Sequence, residues 1–387
     1  MHSQSALKKL ESESIDWTSV VHELGPRFAE RAERHDQNDE FVAENFTDLK
    51  AARLFSAAIP TELGGGGATY SEMCGIVRAI ARYCPSTALS FSMHQHLLAA
   101  QIWNYRRGKP GQKLLERVAA DELVLISTGA KDWLGSNGWV EKVDGGYRVS
   151  AKKFFASGSP AGDLLITSAP YEDPEEGWQV LHFPVPFTAE GVRIDMNWKA
   201  MGMRGTGSNT VVLEKVFVPE EAIALRRPHD RFHPVWNVVL TVAMPLISSA
   251  YAGLAEEATR IVKKGIEKRA GDPVLPYLLG ELENSLTSVQ LAADSMVALA
   301  NDLDFEPELE TTNAVLVRKT LVCKGALQTA EKALEVTGGG GFYRGMGLER
   351  FVRDAHAGQF HPMQEKRQLL FSGRLALGLD PVEGGAS

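Results

Sequence analysis

The strongest constraint in this sequence is a change of hydrophobic period that happens twice. Up to about Ala120, apolar residues recur at helical spacing, as in Trp17, Val20, Val21 and Leu24, and again in Ile76, Ile80 and Tyr83. From about Asp121 to His229 the pattern becomes short apolar runs separated by turn residues. These runs are Leu123–Ile126, Trp139–Val143, Tyr147–Ser150, Leu164–Thr167, Gln179–Phe183, Val192–Ile194 and Thr210–Leu213, and Asp144-Gly145-Gly146 between two of them is a hairpin signal. No helical stretch lies between these runs, so an antiparallel sandwich or barrel is expected rather than a parallel sheet. Helical spacing then returns from about Phe232 in three long stripes. The first is Leu254, Ala258, Ile261, Val262 and Ile266; the second is Leu282, Leu286, Val289, Ala293 and Met296; the third is Val315, Val322, Ala326, Ala330 and Leu334. The expected class is α+β: an N-terminal helical domain over 1–120, a central antiparallel β domain over 121–229, and a C-terminal four-helix bundle over 230–387. Leu254, Ile261, Leu286, Val289 and Val322 are the expected buried positions of that bundle.

Composition narrows the function classes. Of 387 residues, 44% are apolar and 23% charged, enough for a large core. The net charge of -8 is spread along the chain, which argues against a nucleic-acid surface. Cys74, Cys84 and Cys323 have no metal-ligand spacing, so buried free thiols and no metal are expected. Met1 to Lys9 lacks the apolar stretch of a signal peptide, and no run reads as a membrane span, so a cytoplasmic protein without membrane partners is expected.

Four segments occur in a telling order: Ile59-Pro60-Thr61-Glu62-Leu63-Gly64-Gly65, Leu89-Ser90-Phe91-Ser92-Met93-His94, Met201-Gly202-Met203-Arg204-Gly205-Thr206-Gly207-Ser208 with Val216-Phe217-Val218-Pro219, and Leu348-Glu349-Arg350-Phe351-Val352-Arg353-Asp354-Ala355. With these motifs, from about Leu24 to Asp380, the chain resembles the acyl-CoA dehydrogenase superfamily. That resemblance implies a flavin between the β domain and the C-terminal helices, and a homotetramer. It implies that Ser127, Thr128 and Gly129 meet the pyrimidine edge of the flavin ring, where donors stabilise the reduced ring. It also implies that Phe154 covers a ring face and Ser157 reaches the ring edge, with Arg204 in the glycine-rich loop among the cofactor contacts.

The departures from the family pattern are as informative as the matches. The family's α-proton base, a glutamate, aligns with Pro362, and the alternative base position falls at about Ala243; Glu365 is the nearest substitute. Positions that grip an ADP moiety are Glu267, Leu278 and Glu335, where carboxylates would repel a pyrophosphate. Gly338, Gly339 and Gly340, followed by Gly341, still offer backbone N–H groups to a phosphate, and Lys268 or Arg269 could replace the missing cation. The expected cofactor is therefore FAD or FMN, with FAD bound little better than FMN.

Histidines stand where the base is missing: His361 at the base site, His94 on the helix that lines the pocket, and His96 two residues on. Together with Phe155-Ala156-Ser157-Gly158-Ser159, they resemble the two-component flavin monooxygenases of the superfamily. That branch implies dioxygen chemistry through a flavin hydroperoxide, a separate flavin reductase as partner, and a small-molecule substrate. His94, His361 and Ser157 are then the catalytic candidates, and His96, Trp133 and Ala243 the substrate contacts. Two alternatives stay open: an acyl-CoA dehydrogenase with a displaced base, and a flavin-poor member without catalysis.

Overall fold

The computed structural model describes residues 15–128 and 132–382. The start of the chain, including Met1 to Lys9, lies outside them, and so does Gly129.

The N-terminal helices are α1 (Trp17–Asn38), α2 (Ala43–Ala51), α3 (Tyr70–Tyr83), α4 (Pro85–Arg106) and α5 (Gln112–Asp121). Local signals set their starts. The Asp16 carboxylate accepts from the Ser19 N–H at the head of α1, and Thr69 with Glu72 forms a reciprocal capping box at the head of α3. Pro85 supplies the first residue of α4, where a missing N–H costs nothing.

The β domain holds two four-stranded sheets. One has the order β1 (Leu125–Ser127), β4 (Leu164–Asp173), β5 (Gly177–Pro186), β8 (Leu225–Pro228). The other runs β2 (Trp139–Val143), β3 (Gly146–Ala156), β7 (Asn209–Pro219), β6 (Val192–Asp195). Pairing is antiparallel with one exception: β1 and β4 are parallel, from Leu125 opposite Leu164 to Ser127 opposite Ile166. A parallel pair needs a long connection, and here the β2–β3 hairpin of the other sheet supplies it in place of a crossover helix. A register shift in β3 between Lys153 and Ala156 puts Phe155 at φ +56° and leaves it 49% exposed.

The C-terminal helices are α6 (Val235–Lys263), α7 (Leu275–Ala300), α8 (Leu309–Thr337), α9 (Leu348–His356) and α10 (Glu365–Ala376). The expected bundle is thus three long helices closed by two short ones. Leu254, Val289 and Val322 are fully buried and Leu286 nearly so, whereas Ile261 is only partly covered near the end of α6. Helix α6 packs against α3 and α4 on one side and α7 and α8 on the other, which is why it is apolar all round. It is long and apolar enough to cross a membrane, contrary to the sequence expectation, yet 94% of its most apolar window is buried inside the protein.

Candidate functional site

Residues 132–137, ahead of β2, link the β domain to α6 through the contact of Trp133 with Trp236. Two buried cations tie these residues down. Lys153, fully buried at an apolar-phase position of β3, donates to Asp132 Oδ1 at 2.9 Å, to Asn137 O at 2.9 Å and to Ser168 O at 2.5 Å. Burial lowers its pKa, and Asp132 opposes that shift. Arg227 donates to the carbonyls of Asp132 and Trp133, at 3.4 and 3.3 Å, and to His182 Nε2 at 2.9 Å. These residues were missed in the sequence, although a lysine in phase with Val149 and Ala151 was a visible signal.

The hydroxyls near the proposed ring edge have enforced directions. Thr128 Oγ1 lies 2.7 Å from Asp132 Oδ2 and 2.7 Å from Thr167 Oγ1. A carboxylate cannot donate, so Thr128 donates to Asp132 and accepts from Thr167. The same logic orders a second chain. Thr206 Oγ1 meets Met203 O at 2.8 Å, Ser208 Oγ meets Thr206 Oγ1 at 2.7 Å, and Ser157 Oγ meets Ser208 Oγ at 2.7 Å. Since a carbonyl only accepts, donation runs from Ser157 to Ser208 to Thr206 to Met203. Both Thr128 and Ser157 therefore have their hydrogens committed and offer lone pairs, not the donors expected of them. Ser127 is half-buried at the end of β1 and Phe154 half-buried in β3. Arg204 turns away from this region: it donates to Ala200 O at 3.0 Å and pairs with Asp39 at 3.6 Å.

The histidines separate. His94 is fully buried, and both ring nitrogens meet backbone: Nε2 with Phe55 O at 2.9 Å, and Nδ1 accepting from Leu125 N at 2.9 Å. Burial pushes its pKa down to about 3. It stitches α4 to β1 and has no free nitrogen for catalysis, a correction to the role expected of it. His96 is buried with its pKa pushed down to about 4 by burial, and its Nδ1 has no partner among the described residues. His361 precedes α10, and its Nε2 lies 2.7 Å from the Tyr251 hydroxyl of α6. Lys319 of α8 donates to His361 O at 3.0 Å and Met363 O at 3.1 Å. Burial and the Lys319 charge push the imidazole down to about 3, so it is neutral at pH 7, not titrating there as expected.

Beside His361 lies a small cavity of about 20 Å³ lined by Trp133, Leu240, Phe360, Pro362, Met363, Gln364 and Arg367. The Trp133 ring packs tilted against Trp236 of α6 at 5.0 Å and edge-on to Phe232 at 6.0 Å. Ala243, one turn after Leu240 on α6, is buried. No carboxylate is among the described residues that line this cavity. Glu365, the substitute base, is held outside it by Lys324 at 2.6 Å, which lowers its pKa. The Trp236 indole N–H is buried without an acceptor among the described residues. Such an orphan donor fits the carbonyl oxygens of a flavin or of an oxygenated ligand.

The ADP positions look no better in three dimensions. Glu335 shares Lys332 with Glu281, at 2.6 Å each, and Arg269 is spent on Val336 O and Asp272. Gly338 to Gly340 lie within a single 3-10 turn that closes α8.

Comparison with known proteins now bears on the whole chain. Residues 20–122 match the acyl-CoA dehydrogenase N-terminal domain, and residues 240–366 match the acyl-CoA dehydrogenase C-terminal domain. A dibenzothiophene monooxygenase from Mycolicibacterium goodii is 26% identical, over 89% of this chain and 90% of that protein. A putative acyl-CoA dehydrogenase, YdbM, from Bacillus subtilis is 25% identical, over 89% of this chain and 92% of its own. Among solved structures, KijD3 in complex with FMN and a dTDP-linked amino sugar superposes with a TM-score of 0.85 over 97% of both chains, at 24% identity.

Proposed function

This chain belongs to the acyl-CoA dehydrogenase family, and from that premise we propose that it is a reduced-flavin monooxygenase acting on a small-molecule substrate. One observation carries the reading: the cavity beside Pro362, the position that aligns with the family's base, holds no carboxylate among the described residues, and a fixed neutral imidazole stands beside it. Removal of a proton next to a thioester carbonyl needs a base there, and Pro362 has none. Oxygen transfer needs a hydrogen-bond donor, an apolar chamber and exclusion of water instead.

A bound reduced flavin supplies the electrons that activate dioxygen, so that one oxygen atom enters the substrate and the other leaves as water. The protein's part is positional. Ser127, the Thr128 backbone and Ser157 lie where the ring edge is proposed, and the Ser157 lone pair suits the N–H groups of a reduced ring. His361 holds an oxygen by hydrogen bonding, while Trp133, Leu240, Phe360 and Met363 enclose the substrate. His96 and Ala243 are proposed to line the same chamber from α4 and α6, and Phe154 to lie against the ring.

FMN serves as well as FAD, because Glu335 and Glu267 oppose an ADP pyrophosphate. FMN-bound relatives of the same fold support this choice. A relative named as an FMNH2-dependent monooxygenase supports a separate reductase as partner. A cytoplasmic homotetramer is proposed, with Phe342, Tyr343 and Leu377, each at least 76% exposed, as part of the contact. We divide the labour at about residues 120 and 229, with the flavin between the last two parts.

The deciding experiment supplies the protein with reduced FMN from a flavin reductase and oxygen, and in parallel mixes its oxidised flavin anaerobically with acyl-CoA thioesters. Oxygenated product with an unbleached anaerobic flavin is expected. An acyl-CoA that reduces the flavin without oxygen overturns the proposal.

A further inference from the structure

Two residues outside the family motifs converge on His361. Tyr251 is fully buried on α6, and its hydroxyl makes one hydrogen bond among the described residues, to His361 Nε2 at 2.7 Å. If Nε2 carried the proton and donated it, the phenolic hydrogen would be buried with no acceptor, which is strongly disfavoured. Burial also drives the Tyr251 pKa well above its ordinary value, so the phenol keeps its hydrogen. The hydroxyl therefore donates and Nε2 accepts. In a neutral imidazole this puts the proton on Nδ1. Apart from the bond to Tyr251, the ring makes no hydrogen bond to protein among the described residues, and His361 is partly exposed.

Lys319 completes the arrangement. It is 1% exposed, on the apolar stripe of α8 between Val315 and Val322, and no carboxylate pairs with it among the described residues. Its ammonium instead holds the carbonyls on both sides of Pro362, those of His361 and Met363. A buried cation without a counter-charge is costly, and it is retained where it does something a neutral residue cannot. Here it anchors the loop that carries His361 and disfavours a second positive charge on the imidazole. Other titratable groups on the surrounding helices are Cys323, buried on α8 with its thiol pushed up, Asp354, buried on α9, and on α10 Arg367, which lines the cavity, and Glu365, paired with Lys324; none is bonded to the ring among the described residues.

We propose that Tyr251 and Lys319 are positioning residues that present His361 to the reaction chamber as a neutral imidazole with its proton on Nδ1. His361 then acts as an uncharged hydrogen-bond donor rather than an imidazolium acid. Full transfer of its proton would require a buried tyrosinate or a bare anion beside it. The role toward flavin rests on the function proposed above; the protonation pattern does not.

The test reads the pattern directly. Full-length protein carrying ¹⁵N-labelled imidazoles is examined by long-range ¹H–¹⁵N correlation with and without FMN, and His361→Gln identifies the signal. The expected result is a neutral ring with its proton on Nδ1 throughout pH 6–8. A ring protonated on Nε2, or an imidazolium at pH 7, overturns the proposal, and this measurement needs no positioning variant to fold. Tyr251→Phe should release the tautomer bias, and Lys319→Met should let the ring titrate at higher pH, with Lys319→Arg restoring the wild-type state more nearly. Hydrogen peroxide release from the reduced-FMN complex in aerated buffer should rise up to about 100-fold in Tyr251→Phe, as expected of a misplaced reacting geometry. FMN affinity should stay within about two-fold, because neither residue is placed at the ring. An unchanged tautomer in Tyr251→Phe also sinks the assignment. The predicted tautomer in a wild-type protein that never oxygenates would fault the proposed function and leave the positioning roles standing.

Discussion

His94 on α4, fully buried, and His361 before α10, partly buried, are both neutral and both candidates for one catalytic role by position in the chain. Their surroundings make them different parts. His94 has an acceptor on one nitrogen and a backbone donor on the other, so its bonding capacity is exhausted inside the protein. His361 has one nitrogen held by Tyr251, its backbone anchored by Lys319, and its second nitrogen unclaimed among the described residues. A histidine becomes a functional group when one nitrogen is fixed and the other is left over; with both fixed, it is a staple between elements.

The largest effect that can break this contrast is on coupling. His361→Ala should cut oxygenated product about 100- to 1,000-fold, as for loss of one positioned hydrogen-bond donor, while flavin binding and oxygen consumption persist, with hydrogen peroxide released instead. Equal uncoupling in His94→Ala, in protein shown to be folded, would erase the distinction. For His94→Ala the expected loss is of stability. It orphans the Leu125 N–H, leaves the Phe55 carbonyl with only the long bond from Gln95 Nε2 at 3.5 Å, and opens a void beside the Phe55 ring, 4.9 Å away, which together cost about 2–4 kcal/mol in urea unfolding.

Acid sharpens what the two histidines share. Folding depresses the pKa of His94, His182 and His361 to about 3 and of His96 to about 4, below the unfolded value of 6.5. Below pH 6.5 the unfolded chain takes up protons that the folded chain refuses. Stability is therefore full above pH 6.5 and is lost as pH falls toward 3, by about 2 kcal/mol per histidine at pH 5. Asp354, whose folded pKa is raised to about 6, works the other way, with its contribution growing as pH falls through 6. Unfolding titrations at pH 7.5 and 5 check this, and either His94→Asn or His361→Asn should flatten the slope by one histidine's share.

Two smaller effects test the site's outer parts. FAD should bind little better than FMN, and calorimetry showing a preference above about 100-fold, or 2.7 kcal/mol, would mean that the ADP half is recognised. Glu365→Gln should change turnover less than about two-fold, since that carboxylate is engaged with Lys324 outside the cavity.

The amino-acid sequence by itself determined the order of helices, strands and helices, because hydrophobic period is a local property: stripes at 3.6 residues and runs bounded by turns need no knowledge of neighbours. It also determined that the usual base is absent, since Pro362 has no titratable group, and it placed a histidine beside it. Lys319 and Lys153 were legible only as anomalies, charges in phase with apolar residues. What tertiary structure alone decided was which polar atoms are already taken. Whether Thr128 and Ser157 donate or accept depends on Asp132 and on the carbonyl of Met203, four and 46 residues away in sequence. Whether His94 or His361 is free depends on Phe55, Leu125 and Tyr251, which come from other elements altogether. Hydrogen-bond capacity is finite and is used up by neighbours in space, so the chemistry left to a side chain is settled only when the chain has packed.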